Sequence, residues 1–263
     1  VESSNRIEGV TIPPSRLRPI VLGKSRPRDR SEEELAGYRK ALNWIFSRKR
    51  EVTIRPALIL KLHAMCQGGF SGDAGEWKSK NNEIIEILPT GERIVRFVPA
   101  SAEDTPQFTH RLCQNYRDLS EIERLPPLVL ISDFVFDLLC IHPFRDGNGR
   151  VSRLVTTLLL QMHGFEVSRY ISIERIIEER KDEYYEVLKR CSQGWHDGEN
   201  DILPWFNYFL SVIRQAYREF EDKVTSVESR NAKSDLVRQV IFDQVEQFTL
   251  SDLAAQLPSE ASN

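Results

Sequence analysis

Apolar positions recur at three- and four-residue intervals along most of this 263-residue chain, as expected of helices that bury one face. Over residues 31–48, Leu35, Tyr38, Leu42, Ile45 and Phe46 fall on one side, behind a capping Ser31 and an acidic first turn. The spacing repeats over residues 56–66 and over 106–119, where Phe108, Leu112, Cys113 and Tyr116 share a face. Pro127 opens a more apolar segment running to residue 141, placed where a missing N–H costs nothing. Residues 151–163, stopped by Gly164, form a second central helix. Residues 172–191 and 204–220 follow with the same period.

One region alternates instead. Residues 83–88 and 93–98 predict two short strands joined by Pro89, Thr90, Gly91 and Glu92, a β-hairpin on an otherwise helical body. A lone hairpin is marginal unless it packs or pairs with something. It reads equally as a surface loop and as an edge that receives an extended partner segment. Beyond Phe220 the chain turns polar over residues 221–233, which reads as a connector. An amphipathic helix over 235–248 and a short one over 250–257, capped by Thr249, then resemble the opening of a winged helix-turn-helix. Half a motif does not support DNA binding, and a plain helical hairpin fits nearly as well. The expected fold is mainly α: a helical bundle with one β-hairpin and the start of a small C-terminal winged-helix-like domain.

Composition agrees with a soluble domain and narrows its class. The chain is 40% hydrophobic and 29% charged, enough for a core and a solvated surface. A net charge of −3 provides no global field to recruit nucleic acid. Cys66, Cys113, Cys140 and Cys191 stand far apart, which is neither a disulfide framework nor a zinc site. Cys140 reads as a core thiol. The longest apolar stretch, 128–141, is too short and too polar for a membrane span. No signal-peptide pattern precedes the fold, and the chain opens on Val1 rather than Met, as a fragment would. The expected compartment is the cytoplasm.

The chemistry is concentrated in residues 142–153, H-P-F-R-D-G-N-G-R-V-S-R. The segment joins one buried helix to the next. The N–H groups of Gly147, Asn148, Gly149 and Arg150 therefore point outward at a helix N-terminus, an anion site that glycine lets phosphate approach closely. Asp146 suits Mg2+, which takes one or two carboxylates and fills its shell with water and phosphate oxygens. Arg150 and Arg153 share a helix face and can fork around further phosphate oxygens. His142 titrates near neutrality and suits a general base; Phe144 anchors the segment in the core. An EF-hand reading fails, because Arg150 and Thr157 stand where ligands are needed. A P-loop reading of Leu22-Gly23-Lys24-Ser25 fails at Arg18. His63, His110, His163 and His196 make no ligand spacing and read as surface or packing residues.

The same twelve residues meet every specified position of the signature H-x-F-x-[DE]-G-N-G-R-x-x-R, so the chain resembles Fic (Fido) domains. Ala74-Gly75-Glu76-Trp77-Lys78 is similar to the turn before that family's target-binding flap, with Lys78 where arginine is common. Downstream, Y-Y-E-V-L, G-W-H-D and P-W-F-N-Y-F-L are similar to Fic proteins with a winged-helix tail. The resemblance implies a Fic-type bundle and protein adenylyl transfer, moving AMP from ATP to a Ser, Thr or Tyr hydroxyl of a protein target. It implies His142 as base, Asp146 as the Mg2+ ligand and Gly147, Asn148 and Gly149 as the anion nest. Arg150 and Arg153 would bind phosphates, the latter the γ-phosphate. Tyr185 would line the nucleoside pocket, with Tyr184 the alternative, and Ile85, Ile87, Ile94 and Arg96 of the flap would align the target.

Near the N-terminus, Ser4-Asn5-Arg6-Ile7-Glu8-Gly9 matches S-x-x-x-E-G and resembles the inhibitory helix that precedes some Fic cores. Glu8 would then compete with the γ-phosphate for Arg153. The implied organisation is an arm over 1–30, a catalytic domain over 31–225 and an accessory segment over 226–263. Two other functions stay open: a Fic relative that removes AMP or uses another phosphate donor, and an ATP-sensing regulator whose C-terminal domain binds DNA. The target and the oligomeric state, including a homodimer, are not legible.

Overall fold

The computed structural model describes residues 1–48, 52–68, 72–88, 90–122 and 125–242. Helices dominate: α1 (Glu2–Ile7), α2 (Pro14–Val21), α3 (Arg30–Ser47) and α4 (Pro56–Gln67) precede the hairpin. Strands β1 (Ile84–Ile87) and β2 (Arg93–Phe97) form it. Then come α5 (Thr105–Ser120), α6 (Pro127–Ile141), α7 (Asn148–Met162), α8 (Ile173–Glu179), α9 (Lys181–Cys191) and α10 (Leu203–Phe242). Residues Val1–Ala216 make one compact unit, and Tyr217–Asn263 belong to a second. No helix among the described residues is long and apolar enough to cross a membrane.

Local chemistry explains most boundaries. Asp29 caps α3 by accepting the Glu32 N–H at 2.9 Å, which starts the helix just before Ser31. Ser172 does the same for α8 through the Arg175 N–H at 3.2 Å. Prolines stand at the first turn of α4, α5 and α6. α7 is buried on nearly every side, from Asn148 to Gln161, and lies at the centre of the bundle. The polar residues of a helix so enclosed must find partners inside. Tyr38, Phe134, Phe136 and Phe144 are almost wholly buried around it. The four cysteines are free and buried, with Cys140 in the core as expected.

Two boundaries differ from the sequence pattern. The single helix expected over 172–191 is broken at Arg180, whose φ of −117° and ψ of 34° leave the helical region. Its guanidinium bonds Glu183 twice at 2.8 Å and the Ser211 hydroxyl at 2.8 Å, and lies 4.9 Å above the Tyr208 ring. The contacts to Ser211 and Tyr208, invisible in a run of helix formers, hold Arg180 where the chain turns between α8 and α9. The polar stretch from Glu221 onward is no break either, because α10 runs through it to Phe242. Of the region expected to open a winged helix, 235–257, residues 243–257 lie outside the described residues.

The strands pair antiparallel, with Ile85 opposite Val95, Glu86 opposite Ile94 and Ile87 opposite Arg93. The register shifts next to Ile84, which faces Phe97, so β2 holds one extra residue there, Arg96. The sheet has two strands, so the second edge of β1 has no strand beside it among the described residues.

Candidate active site

The last turn of α6 delivers His142. Its backbone N–H still bonds the Leu138 carbonyl at 3.1 Å, but φ 51° and ψ 60° then swing the chain out of the helix. Ring atom Nδ1 lies 3.2 Å from the Leu139 carbonyl oxygen. A carbonyl can only accept, so Nδ1 carries the proton and Nε2 carries the free lone pair. Burial pushes the His142 pKa down to about 4, with Lys78 adding to the effect and the Leu139 carbonyl, Glu8 and Asp146 opposing it. The ring is therefore a neutral acceptor at physiological pH.

Below it the motif is pinned from several sides. Phe144 stacks on His63 with ring centres 3.8 Å apart and planes 9° from parallel. The Asn148 side chain closes the turn, accepting the Phe144 N–H at 2.9 Å and donating to the Phe144 carbonyl at 2.7 Å. Gly147 takes φ 84°, which suits glycine, and starts α7. His63 is a packing residue, as expected, but one aimed at the motif: its ring bridges the Asp146 carbonyl at 3.1 Å and the Gly75 N–H at 3.0 Å. Burial lowers its pKa to about 4.

Asp146 is half exposed, at 46% of its side chain, and faces Arg30, Arg150 and the Gly147 N–H. Burial would raise its pKa, but Arg150, the N–H and Arg30 outweigh that and hold it below the usual carboxylate value. Arg150 itself is 1% exposed and meets the buried Glu34 at 2.6 Å; Glu34 also accepts from Arg30 at 2.8 Å. Two arginines and two carboxylates thus close a neutral ring, and the main partner of Arg150 is Glu34. Among the described residues no group of three His, Cys, Asp or Glu side chains could hold a metal alone. A half-exposed hard carboxylate does fit an ion such as Mg2+ whose other ligands are phosphate and water.

Arg153 is held from the N-terminal side. Its Nε donates to the Ser4 hydroxyl at 2.7 Å, its Nη2 to the Ser4 carbonyl at 2.8 Å, and Glu8 Oε1 lies 2.8 Å from Nη2. Burial works against its charge, but Glu8, with Tyr38 and Tyr184 adding to it, outweighs that and raises the pKa. The same Glu8 carboxylate lies over Gly149: a Cβ there would collide with Oε1. An internal anion therefore occupies the helix N-terminus expected to receive phosphate. α1 is fastened by Arg6, which grips Glu178 of α8 through Nε and Nη2.

A cavity of about 690 Å³ opens above these groups. His142, Gly149, Glu8, Tyr185, Ile85, Ile87 and Arg96 all line it, as do Tyr184 and Lys181. Asp146, Arg150 and Arg153 lie outside its lining, and so does Ile94. Tyr184 is 4% exposed and packs on Trp205 and Tyr208, whereas Tyr185 donates to the Ile7 carbonyl at 3.3 Å. Arg96 turns inward, 5.5 Å from the Tyr185 ring, while Ile85 and Ile87 stay exposed. The flap is moored to α9 by Glu86 and Lys189 at 2.9 Å.

The sequence reading assigned no role to Ser4, Arg30, Glu34, Lys78 or Asn82, and gave His63 none beyond packing. Two of them carried a signal: Ser4 opens the S-x-x-x-E-G pattern, and Lys78 ends the A-G-E-W-K turn.

Residues 53–160 match the family model described as the Fic/DOC family. The chain is 27% identical over 218 residues to a protein adenylyltransferase Fic of Nematostella vectensis, covering 78% of this chain and 44% of that relative. It is 26% identical over 216 residues to a protein of the same name in Drosophila erecta, covering 80% of this chain and 39% of the relative. The chain thus spans about two fifths of the length of the curated relatives it matches. A Fic-domain-containing signalling protein of Bacteroides thetaiotaomicron superposes with a TM-score of 0.67 at 28% identity, covering 81% of each chain. A Fic family protein of Desulfovibrio desulfuricans shares the fold, with a TM-score of 0.67 at 23% identity over 97% of this chain and 72% of the other.

Proposed function

We propose that this chain, whose residues 53–160 match the Fic/DOC family model, is a protein adenylyltransferase restrained by its own N-terminus. One observation supports this most: a neutral histidine with a free Nε2 lines a cavity shared with a helix N-terminus and an unpaired strand edge. A target segment added along β1 by main-chain bonds would bring a hydroxyl toward His142. Nε2 takes the hydroxyl proton while the hydroxyl oxygen attacks the α-phosphorus of ATP. The bond to the β-phosphate breaks, and pyrophosphate leaves. The first-turn N–H groups of α7 and the Arg153 guanidinium then stabilise charge on the phosphates, the kind of positioning such transfers depend on. Mg2+ held by Asp146 would neutralise part of that charge, with Arg30 the more exposed partner to move aside. The adenosine would lie against Tyr185.

Glu8 supports the restraint, because its carboxylate occupies both the guanidinium and the glycine surface that a γ-phosphate needs. On this reading residues 1–30 carry the brake and 31–225 the catalytic body. Incubation with α-labelled ATP tests both halves. Glu8→Gly should raise self-labelling severalfold or more over the wild type, and His142→Ala in that background should abolish it while ATP binding persists. Equal labelling by wild type and Glu8→Gly would remove the brake. Undiminished labelling by His142→Ala would remove the base.

A further inference from the structure

His142 is the one non-glycine residue at positive φ among the described residues. A left-handed conformation is strained for an L-residue and persists only where the surroundings over-determine it. The constraint comes from residues 78–82, which run beside 141–144. The Lys78 N–H donates to the Pro143 carbonyl at 2.9 Å. Its ammonium donates to the Ile141 carbonyl at 3.1 Å and to Asn82 Oδ1 at 2.9 Å. Asn82 Nδ2 in turn donates to the Phe144 carbonyl at 3.1 Å. The carbonyl just before His142 and the two just after it are thus all held by this one strap.

The chemistry of Lys78 marks it as more than filler. It is 4% exposed, and no carboxylate pairs with it among the described residues. Burying a cation without a counter-charge is costly, and an apolar side chain of equal length would avoid that cost. Burial lowers the Lys78 pKa to about 8, so the ammonium stays largely charged at neutral pH and keeps its three donors. Two residues after Asn82 the chain enters β1, so the strap that holds the base also roots the flap.

We propose that Lys78, with Asn82 as its partner, is the positioning residue for His142: its ammonium pins the Ile141 carbonyl, fixes the left-handed turn and keeps Nε2 facing the cavity, in register with β1. The structural part stands without any assumption about the reaction; the kinetic part rests on adenylyl transfer. After burial, Lys78 is the cation that lowers the His142 pKa, while the other charged groups facing the ring, Glu8 and Asp146, raise it.

The test titrates His142 by NMR in the wild type, Lys78→Met, Lys78→Arg and Asn82→Ala, and measures labelling kinetics for each in the Glu8→Gly chain. Lys78→Met should raise the His142 pKa by at least about half a unit. It should cut kcat roughly 10- to 100-fold, with the ATP KM within about twofold. Lys78→Arg, which keeps charge and donors, should recover most of both. A Lys78→Met chain with the wild-type pKa and kcat overturns the proposal, as does Lys78→Arg failing as badly as Lys78→Met. If Lys78→Met does not fold, Asn82→Ala decides: a lower kcat at unchanged ATP KM supports the strap, and a wild-type kcat overturns it. Should the Glu8→Gly chain transfer nothing from ATP, the adenylyltransferase reading fails while the titration still decides the role of Lys78.

Discussion

His142 owes its charge state to burial, while its turn is held by the strap through Lys78 and Asn82. Held at the end of α6 with Nδ1 committed to Leu139, it presents Nε2 and resists protonation until pH falls to about 4. The acid limb of kcat/KM reports the free base, so activity of the Glu8→Gly chain should stay flat from neutrality to about pH 5 and fall only near or below pH 4, since loss of Glu8 lowers the His142 pKa further. A limb near 6.5 would mean that the ring is solvated and that its placement here is wrong. The residue types at this site were legible in the sequence because they are contiguous: His142, Asp146, the two glycines and both arginines sit within one turn and the helix it starts. Their partners were not. Nothing in the chain near Arg150 announces Glu34, and nothing near Phe144 announces His63.

Among the elements, α3 and α4 form the platform that holds the motif from below. α3 supplies Arg30 and Glu34, and α4 supplies His63 and Gln67, the latter beneath Gly147. The two helices meet at Gly37, where a Cβ would lie 2.8 Å from the Cys66 carbonyl oxygen and closer still to that of Met65. Backbone cannot give way as a side chain can. Gly37→Ala should therefore destabilise the chain by about 1–3 kcal/mol despite the better helix propensity of alanine. Thermal or urea unfolding would show it as a lower midpoint; an unchanged or higher midpoint would mean the helices are farther apart than described. The periodicity of both helices was plain in the sequence. Their closest approach depends on a glycine that reads, in isolation, as a weak point in α3.

Across the whole molecule, buried titratable groups pull stability in opposite directions with pH. His63 and His142 are neutral when folded, with pKa values near 4 against 6.5 unfolded, so they weaken the fold as pH drops through that window. Asp133 behaves oppositely: burial, then the neighbouring Asp137, raise it from 3.8 to about 6. Its folded pKa lies above its unfolded one, so the stabilising contribution is complete below 3.8 and is lost as pH rises through about 6. Asp133→Asn should raise the melting temperature at pH 8, and the gain should shrink below pH 6 and vanish near 3.8. A gain independent of pH would assign the effect to packing instead. By itself the sequence determined the helical class, the hairpin and the set of chemical groups, because periodicity and contiguous motifs act within a few residues. Only the tertiary structure decided which groups meet. Arg153 reaches Ser4 across 149 positions and Phe144 is tied to Asn82 across 62. It also broke the helix at Arg180 and laid Glu8 over Gly149. Such contacts arise when distant segments share one buried space and each enclosed polar group must find a partner there, a requirement that no local pattern encodes.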